Sequence, residues 1–269
     1  MENLDFSILL PAFAAGLLVL LTHVPLGMEV LRKGIIFIDL AIAQIAGLGV
    51  ILAYSLGWDI HGWQVQFIAY GSAIIGAMGL YQLEKYCKES LEAIIGVIFI
   101  LAASSGLLIL AHNPHGGEYL RELLTGQILW VSWTQLIPIL FLSVLILWYW
   151  FKLQTRFFKL GFYLVFAVAV TASVQLVGVY LVFSSLIIPA LTVRGVNTYL
   201  IAVLLAYLVG IIGYASGLIL SNYWDLPSGA VIVWTLLIVG IMVRLVLGWI
   251  RQKNSGDLSP PKGESIHDI

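Results

Sequence analysis

Asp39 stands inside the apolar stretch GIIFIDLAIAQIAGLGVILA, with the amide of Gln44 five residues after it. An ionised carboxylate at the centre of a bilayer costs several kcal/mol, and a lipid-facing structural helix has no use for one. Facing a protein interior or a water-filled path, a carboxylate with an amide nearby points to cation handling. The alternative is an aspartate at headgroup depth that is solvated or caps a helix start, because Gly34 lies only a few residues before it. Gln44 sits deeper, where an amide either supplies a helix–helix hydrogen bond or helps line an ion path. A second group, His112, His115 and Glu118, falls within the stretch HNPHGGE. Zinc and related ions accept imidazole and carboxylate ligands, which would make this an outer first-contact metal site. Its spacing matches no strong metal signature, and Pro-His-Gly-Gly is good turn chemistry, so a turn-rich surface loop is the favoured reading. Asp59 and His61, on another outer loop, could join that cluster in space. His23, just before Pro25, reads as a helix-end histidine rather than a ligand.

The elements that must position these groups are membrane helices. The chain has 269 residues, of which 61% are hydrophobic and 10% charged, with a mean hydropathy of +1.03. Soluble domains carry about 25% charged residues. Seven segments, near 7–27, 34–56, 64–83, 91–111, 133–151, 199–221 and 229–250, read as spanning helices. A longer apolar run, 162–193, exceeds one bilayer and is interrupted by Gly178 and Pro189. A broken helix or two short passes is expected there. The fold class is therefore all-α, a polytopic helical membrane protein of about eight or nine transmembrane helices. Strand-like alternation is absent, which argues against an outer-membrane barrel.

Residues 1–250 form the transmembrane domain, and 251–269, polar and rich in Pro, Gly and Ser, read as a disordered cytoplasmic tail. The opening MENLD is acidic and no clear cleavage site follows, so the first apolar stretch reads as a retained helix. Lys and Arg cluster after the first, third and fifth helices and are absent from the loops at 57–63 and 112–118. That bias places the N-terminus outside and the C-terminus in the cytoplasm. An odd number of crossings is then needed, which the 162–193 run supplies if it contributes two. The single Cys87 excludes a disulfide framework within the chain. No basic cluster suggests nucleic acid.

Read in order, four stretches carry a family likeness. They are VPLG at 24–27 followed by Arg32-Lys33 and IDLAIAQIAGLG; SLEAIIGVIF at 90–99; SVQLVGVYLVFSSLIIPALTVR at 173–194; and YASGLILSNYWDLPSGAVIV at 214–233. Together they resemble the zinc/manganese/iron-type ABC transporter permease family over about nine-tenths of the chain. The resemblance implies a permease subunit that moves a divalent transition metal, zinc or manganese, across a bacterial inner membrane. It implies a homodimer, ABC-type ATPase subunits inside and an external metal-binding protein that delivers the ion. The metal is cargo, and no permanently bound cofactor is implied. The absence of a G-x-x-x-x-G-K-[ST] loop agrees with that division of labour, since ATP would be hydrolysed by the partner. The stretch after Ile-Pro-Ala is implied to dock on the ATPase, here Ala190 to Thr198, with Ala190, Thr192, Arg194 and Asn197 as candidates. Other cargoes, such as iron or a metal chelate, and a proton-coupled secondary transporter remain alternatives. A bulkier cargo would want a wide apolar cavity rather than a carboxylate.

One departure from the family matters. Its Asp-x-x-x-His pattern on the second helix falls, counted from Pro25, on Leu40 and Gln44, and the acid here is one place earlier. One residue is about 100° around a helix, so Asp39 and Gln44 do not reproduce an i, i+4 ligand pair. A glutamine amide is also a weaker and harder ligand than imidazole. Gln175, Ser184 and Ser185 on the long run either line a translocation path or pack between helices. Ala43 and Gly47 suit close helix contacts. The amphipathic EYLRELL after Glu118 suits the membrane surface or contact with a delivering protein. Trp58, Trp63, Trp148, Trp150 and Trp224 read as interfacial anchors.

Overall fold

The computed structural model describes residues 6–58, 62–113, 116–152 and 158–256. Among them are ten α-helices and no strand: α1 (Phe6–Lys33), α2 (Ile38–Ser55), α3 (Trp63–Tyr86), α4 (Leu91–Leu110), α5 (Gly116–Thr125), α6 (Trp133–Lys152), α7 (Phe158–Val177), α8 (Val179–Thr192), α9 (Tyr199–Trp224) and α10 (Ser228–Gly256). Seven of them, α1, α2, α4, α6, α7, α9 and α10, are long and apolar enough to cross a membrane, and α8 is a shorter apolar helix. α3 has the length, at 24 residues, but carries more polar side chains.

Burial separates an inner set from an outer one. The share of the spanning window that is buried is 72% in α7 and 61% in α2, against 22% in α4, α6 and α10. Large apolar side chains on the outer helices, including Leu108, Phe141 and Leu245, stay exposed. Hydrocarbon is the solvent in which such surfaces are stable. α1 packs against α6, α7, α8 and α9, α2 packs against α3 and α4, and α10 lies along both α8 and α9.

The expected break in the 162–193 run is present, and it lies at Gly178 alone. Gly178 has φ +81°, a left-handed conformation that a side chain resists, and it separates α7 from α8. Its Cα is pressed against the Thr125–Gly126 peptide, where an added Cβ would clash. Pro189, expected to interrupt the run as well, instead lies within α8.

α1 also outruns its expected end at residue 27 and passes through Pro25 to Lys33. Proline removes the N–H that would bond the carbonyl four residues earlier. That orphan is Leu21 O, and the hydroxyl of Tyr207 on α9 donates to it at 2.9 Å. A side chain from another helix thus keeps α1 continuous, as apolar surroundings require. His23 is consequently not at a helix end. It is fully buried in mid-helix, and its Nδ1 donates to Val19 O at 2.9 Å. At the far end, α10 continues past Ile250 to Gly256, and the rest of the expected tail, 257–269, lies outside the described residues. Trp150 is not an interfacial anchor, being 7% exposed and tilted against the Phe162 ring with centroids 6.2 Å apart. Trp58, Trp63, Trp148 and Trp224 are exposed.

Candidate functional site

Five helices line a partly open cavity of about 620 Å³. α2 contributes Leu40 and Gln44, α4 Phe99, Ala103 and Leu107, α5 Leu120, Leu123 and Leu124, α8 Val179, Tyr180, Phe183 and Ser184, and α10 Ala230, Val233 and Trp234. Leu40 and Gln44 are four apart and share a helix face. The polar groups in this wall are those of Gln44, Tyr180, Ser184 and Trp234, and the hydroxyl of Ser184 already donates to Tyr180 O at 2.8 Å. Among the described residues the lining holds no carboxylate, imidazole or thiol. A cavity of this size lies within the ~300–1,000 Å³ range of small-molecule sites, and its wall suits an apolar surface better than a bare cation.

α5 closes one side of that cavity. Its apolar residues Leu120, Leu123 and Leu124 turn inward, so the amphipathic pattern covers protein rather than the bilayer surface. Gly47 on α2 makes this approach possible, because a Cβ there would lie 2.8 Å from Leu123 Cδ2. The end of α5 is wedged into backbone. A Cβ on Gly229 at the start of α10 would lie 2.7 Å from Thr125 O, and Gly126 abuts Val177 and Gly178. The break that opens α8 is therefore held by the end of α5.

Asp39 does not line the cavity. It lies in the first turn of α2, is 1% exposed, and among the described residues neither carboxylate oxygen has a hydrogen-bond partner. Asp39 is therefore near one end of its helix and not at mid-span. That end is also where Lys33 approaches Glu84 at 3.7 Å and where Glu92 accepts from the Phe37 N–H at 3.1 Å. The structure accordingly separates the two residues on which the cation reading rests. Gln44 faces the cavity and Asp39 faces packed protein, as the ~140° between positions five apart on a helix requires.

The other candidates are placed as follows. His112 and Glu118 are exposed, and His115, Asp59 and His61 lie outside the described residues. No group of three His, Cys, Asp or Glu side chains that could hold a metal occurs among the described residues. Ser184 lines the cavity, whereas Gln175 is exposed elsewhere. Ser185 is a packing residue: its hydroxyl donates to Leu181 O at 2.6 Å and accepts from the Tyr214 hydroxyl at 2.8 Å. In the segment after α8, Arg194 and Asn197 are exposed, while Ala190 and Thr192 are buried. Thr192 faces α10, where a Cβ on Gly240 would meet its Oγ1 at 2.7 Å. Arg244 of α10 donates from Nη1 to Thr192 O at 3.2 Å and also to Arg194 O.

Comparison with known proteins decides what kind of molecule carries this cavity. A model described as the ABC 3 transport family matches residues 5–158 and 150–247. The chain belongs to the ABC 3 transport family. It is similar to the manganese transport system membrane protein MntC of Halalkalibacterium halodurans, at 27% identity over 253 residues, covering 86% of this chain and 85% of that protein. It is also similar to the high-affinity zinc uptake system membrane protein ZnuB of Haemophilus influenzae, at 27% identity, covering 85% of this chain and 93% of that protein. Among solved structures, PsaBC from Streptococcus pneumoniae in complex with Fab shares the fold, with a TM-score of 0.69 over 89% of this chain and 91% of that one, at 20% identity.

As a member of the ABC 3 transport family, the chain is a multi-pass membrane protein of a metal-transport permease type. Neither Tyr207 nor Arg244 is marked for its role by its own residue type in the sequence. The amphipathic stretch with the α5 leucines, expected at the membrane surface or against a delivering protein, lies over a cavity instead. Tyr207, Arg244 and the α5 leucines each act on an element distant in the chain. A signal existed for one: a proline inside an apolar span announces a carbonyl in need of a donor. It does not say which helix supplies the donor.

Proposed function

We propose that this ABC 3 transport family chain is the membrane permease subunit of an ATP-driven importer for a divalent transition metal, zinc or manganese. The cavity where α2, α4, α5, α8 and α10 converge supports the permease reading. The observation that carries the metal is that relatives over most of the chain are named for manganese and zinc transport. Two copies come together in the inner membrane, each with its N-terminus outside and its C-terminus in the cytoplasm. An external binding protein delivers the metal, and ATPase subunits dock inside on the exposed Arg194 and Asn197. ATP-driven closure, passed through residues 190–198, switches the cavity from outward to inward access. Asp39 is one residue, about 100°, round α2 from the cavity-facing Leu40. It ligates the ion when the helices around α2 part during that switch, and modest affinity there lets the ion leave. The outer-loop residues His112, His115 and Glu118 contribute at most first contact.

The cavity wall supports a second reading within the same architecture. A dehydrated zinc or manganese ion needs nitrogen, oxygen or sulfur donors, and among the described residues Gln44 is the only side-chain amide in the lining. A metal wrapped in an organic chelator presents an apolar exterior that fits this wall. Uptake by the reconstituted complex, measured with zinc, manganese and iron as free ions and again as uncharged chelates, separates the readings. Saturable ATP-dependent uptake of a free ion supports the first. Uptake of a chelate alone overturns it, and ATP-independent uptake driven by a proton gradient overturns both.

A further inference from the structure

α8 and α10 run side by side between two places of functional interest. At one end, Val179, Tyr180, Phe183 and Ser184 of α8 and Ala230, Val233 and Trp234 of α10 form adjoining parts of the cavity wall. At the other end, Gly240 lets α10 press on Ile188 and Thr192, and one turn later Arg244 reaches the carbonyls of Thr192 and Arg194. Both helices therefore point the same way, from cavity to the 190–198 segment. Ser184 lies eight residues, about 12 Å of helix, before Thr192, and Trp234 lies ten residues, about 15 Å, before Arg244.

The chemistry at that far end is specific. The last carbonyls of an α-helix lack intrahelical donors and carry the negative end of its dipole. Here α8 ends at Thr192 and the chain turns through Gly195, φ +93°. The guanidinium of Arg244 supplies both donors and positive charge to that end. It spans one carbonyl in the helix and one beyond it, so it fixes the direction in which the 193–198 turn leaves α8. No other cross-helix hydrogen bond between described residues reaches these carbonyls.

We propose that Arg244 is a positioning residue for energy coupling: by tying Thr192 and Arg194 to α10, it makes α8 and α10 one strut that carries displacement of the 190–198 segment to the cavity wall. The proposal rests on the reading of 190–198 as the ATPase contact. Without the guanidinium, a push on the segment would be absorbed by the turn at Gly195, and the wall would stay where it is.

The test needs no knowledge of the cargo. In the assembled complex, with Cys87→Ser, a reporter Val233→Cys in the cavity wall is labelled with a membrane-impermeant maleimide, with and without ATP. In the Arg244→Ala variant, the ATP-dependent change in labelling rate is expected to fall about tenfold, the loss of one charge-assisted contact. The ATPase should still co-purify, and Arg244→Lys should restore most of the change. An undiminished change in Arg244→Ala overturns the proposal, as does a reporter in the wild-type background that never responds to ATP. Loss of the ATPase from Arg244→Ala also overturns it, by making Arg244 part of the docking surface. If Arg244→Ala does not fold, Arg244→Gln takes its place under the same criteria. Arg194→Glu tests the docking reading separately. Full ATPase recovery in that variant would sink the docking reading and with it the route by which the strut is driven. Lost recovery there beside an undiminished response in Arg244→Ala would sink the strut alone.

Discussion

Asp39→Asn removes a charge and keeps the shape, so it tests the buried carboxylate with little disturbance of packing. The wild-type side chain is 1% exposed and neither oxygen is hydrogen-bonded among the described residues. There is no observed interaction for the amide to break. An ionised carboxylate in that setting is penalised by several kcal/mol. Even when protonated, its unpaired polar atoms cost about 1–3 kcal/mol. An amide keeps the second cost and escapes the first, so stability should hold or rise, by about 1–2 kcal/mol on the scale of typical substitutions. For a chain of this size, each kcal/mol moves Tm by about 2–4 °C, so a rise of about 2–8 °C is expected. The measurement is thermal unfolding in detergent, paired with metal uptake by the reconstituted complex. Uptake should fall about tenfold or more, equivalent to about 1.4 kcal/mol of lost ion stabilisation along the path. The two readouts move in opposite directions, as expected where function retains a destabilising group. A Tm several degrees lower would show that the carboxylate has a structural partner, which refutes the stability argument. Raised stability with wild-type uptake would remove Asp39 from the ion path.

Other perturbations probe how the frame is held. Tyr207→Phe leaves Leu21 O without its donor and should lower stability by about 1–3 kcal/mol. The loss should vanish in a Pro25→Ala background, where the restored backbone N–H takes that carbonyl. Additive effects in the double-mutant cycle would show that the hydroxyl does not serve the proline gap. Gly178→Ala places a Cβ at φ +81° against the Thr125–Gly126 peptide; strain of about 1–3 kcal/mol plus the clash should sharply cut the yield of folded protein, and a normal yield would contradict the tight junction described here. Arg194→Glu reverses an exposed charge and should reduce ATPase recovery on co-purification about tenfold, on the scale of a charged contact.

The wide distribution of apolar residues made the architecture readable. Spans of about 20 residues follow from bilayer thickness, and no tertiary information is needed to find them. The break at Gly178 was legible for the same reason, since 162–193 is too long for one pass. What misled was reading Pro189 as an interruption and the chain at Pro25 as the end of a helix. Pro25 and Pro189 both sit inside continuous helices, and at Pro25 the missing donor is supplied by Tyr207 of a neighbouring helix. His23 then moved from a presumed helix end into the buried interior. The end of α1 and the identity of Tyr207 as the donor were decided together, by a contact between residues far apart in the chain.

The candidate site divides along the same line. Composition alone determined that this is a polytopic helical membrane protein, and the order of its motifs pointed to the family. Residue types alone singled out Asp39 as an anomalous group. Only the tertiary structure decided that Asp39 looks into packed protein while Leu40 and Gln44 look into the cavity. It also brought the α5 leucines over that cavity and Arg244 onto the end of α8. The physical reason is that the water-to-lipid transfer preference is a property of each segment by itself. The rotation of a helix, and the partner that satisfies a carbonyl at its end, depend on neighbours supplied from elsewhere in the chain.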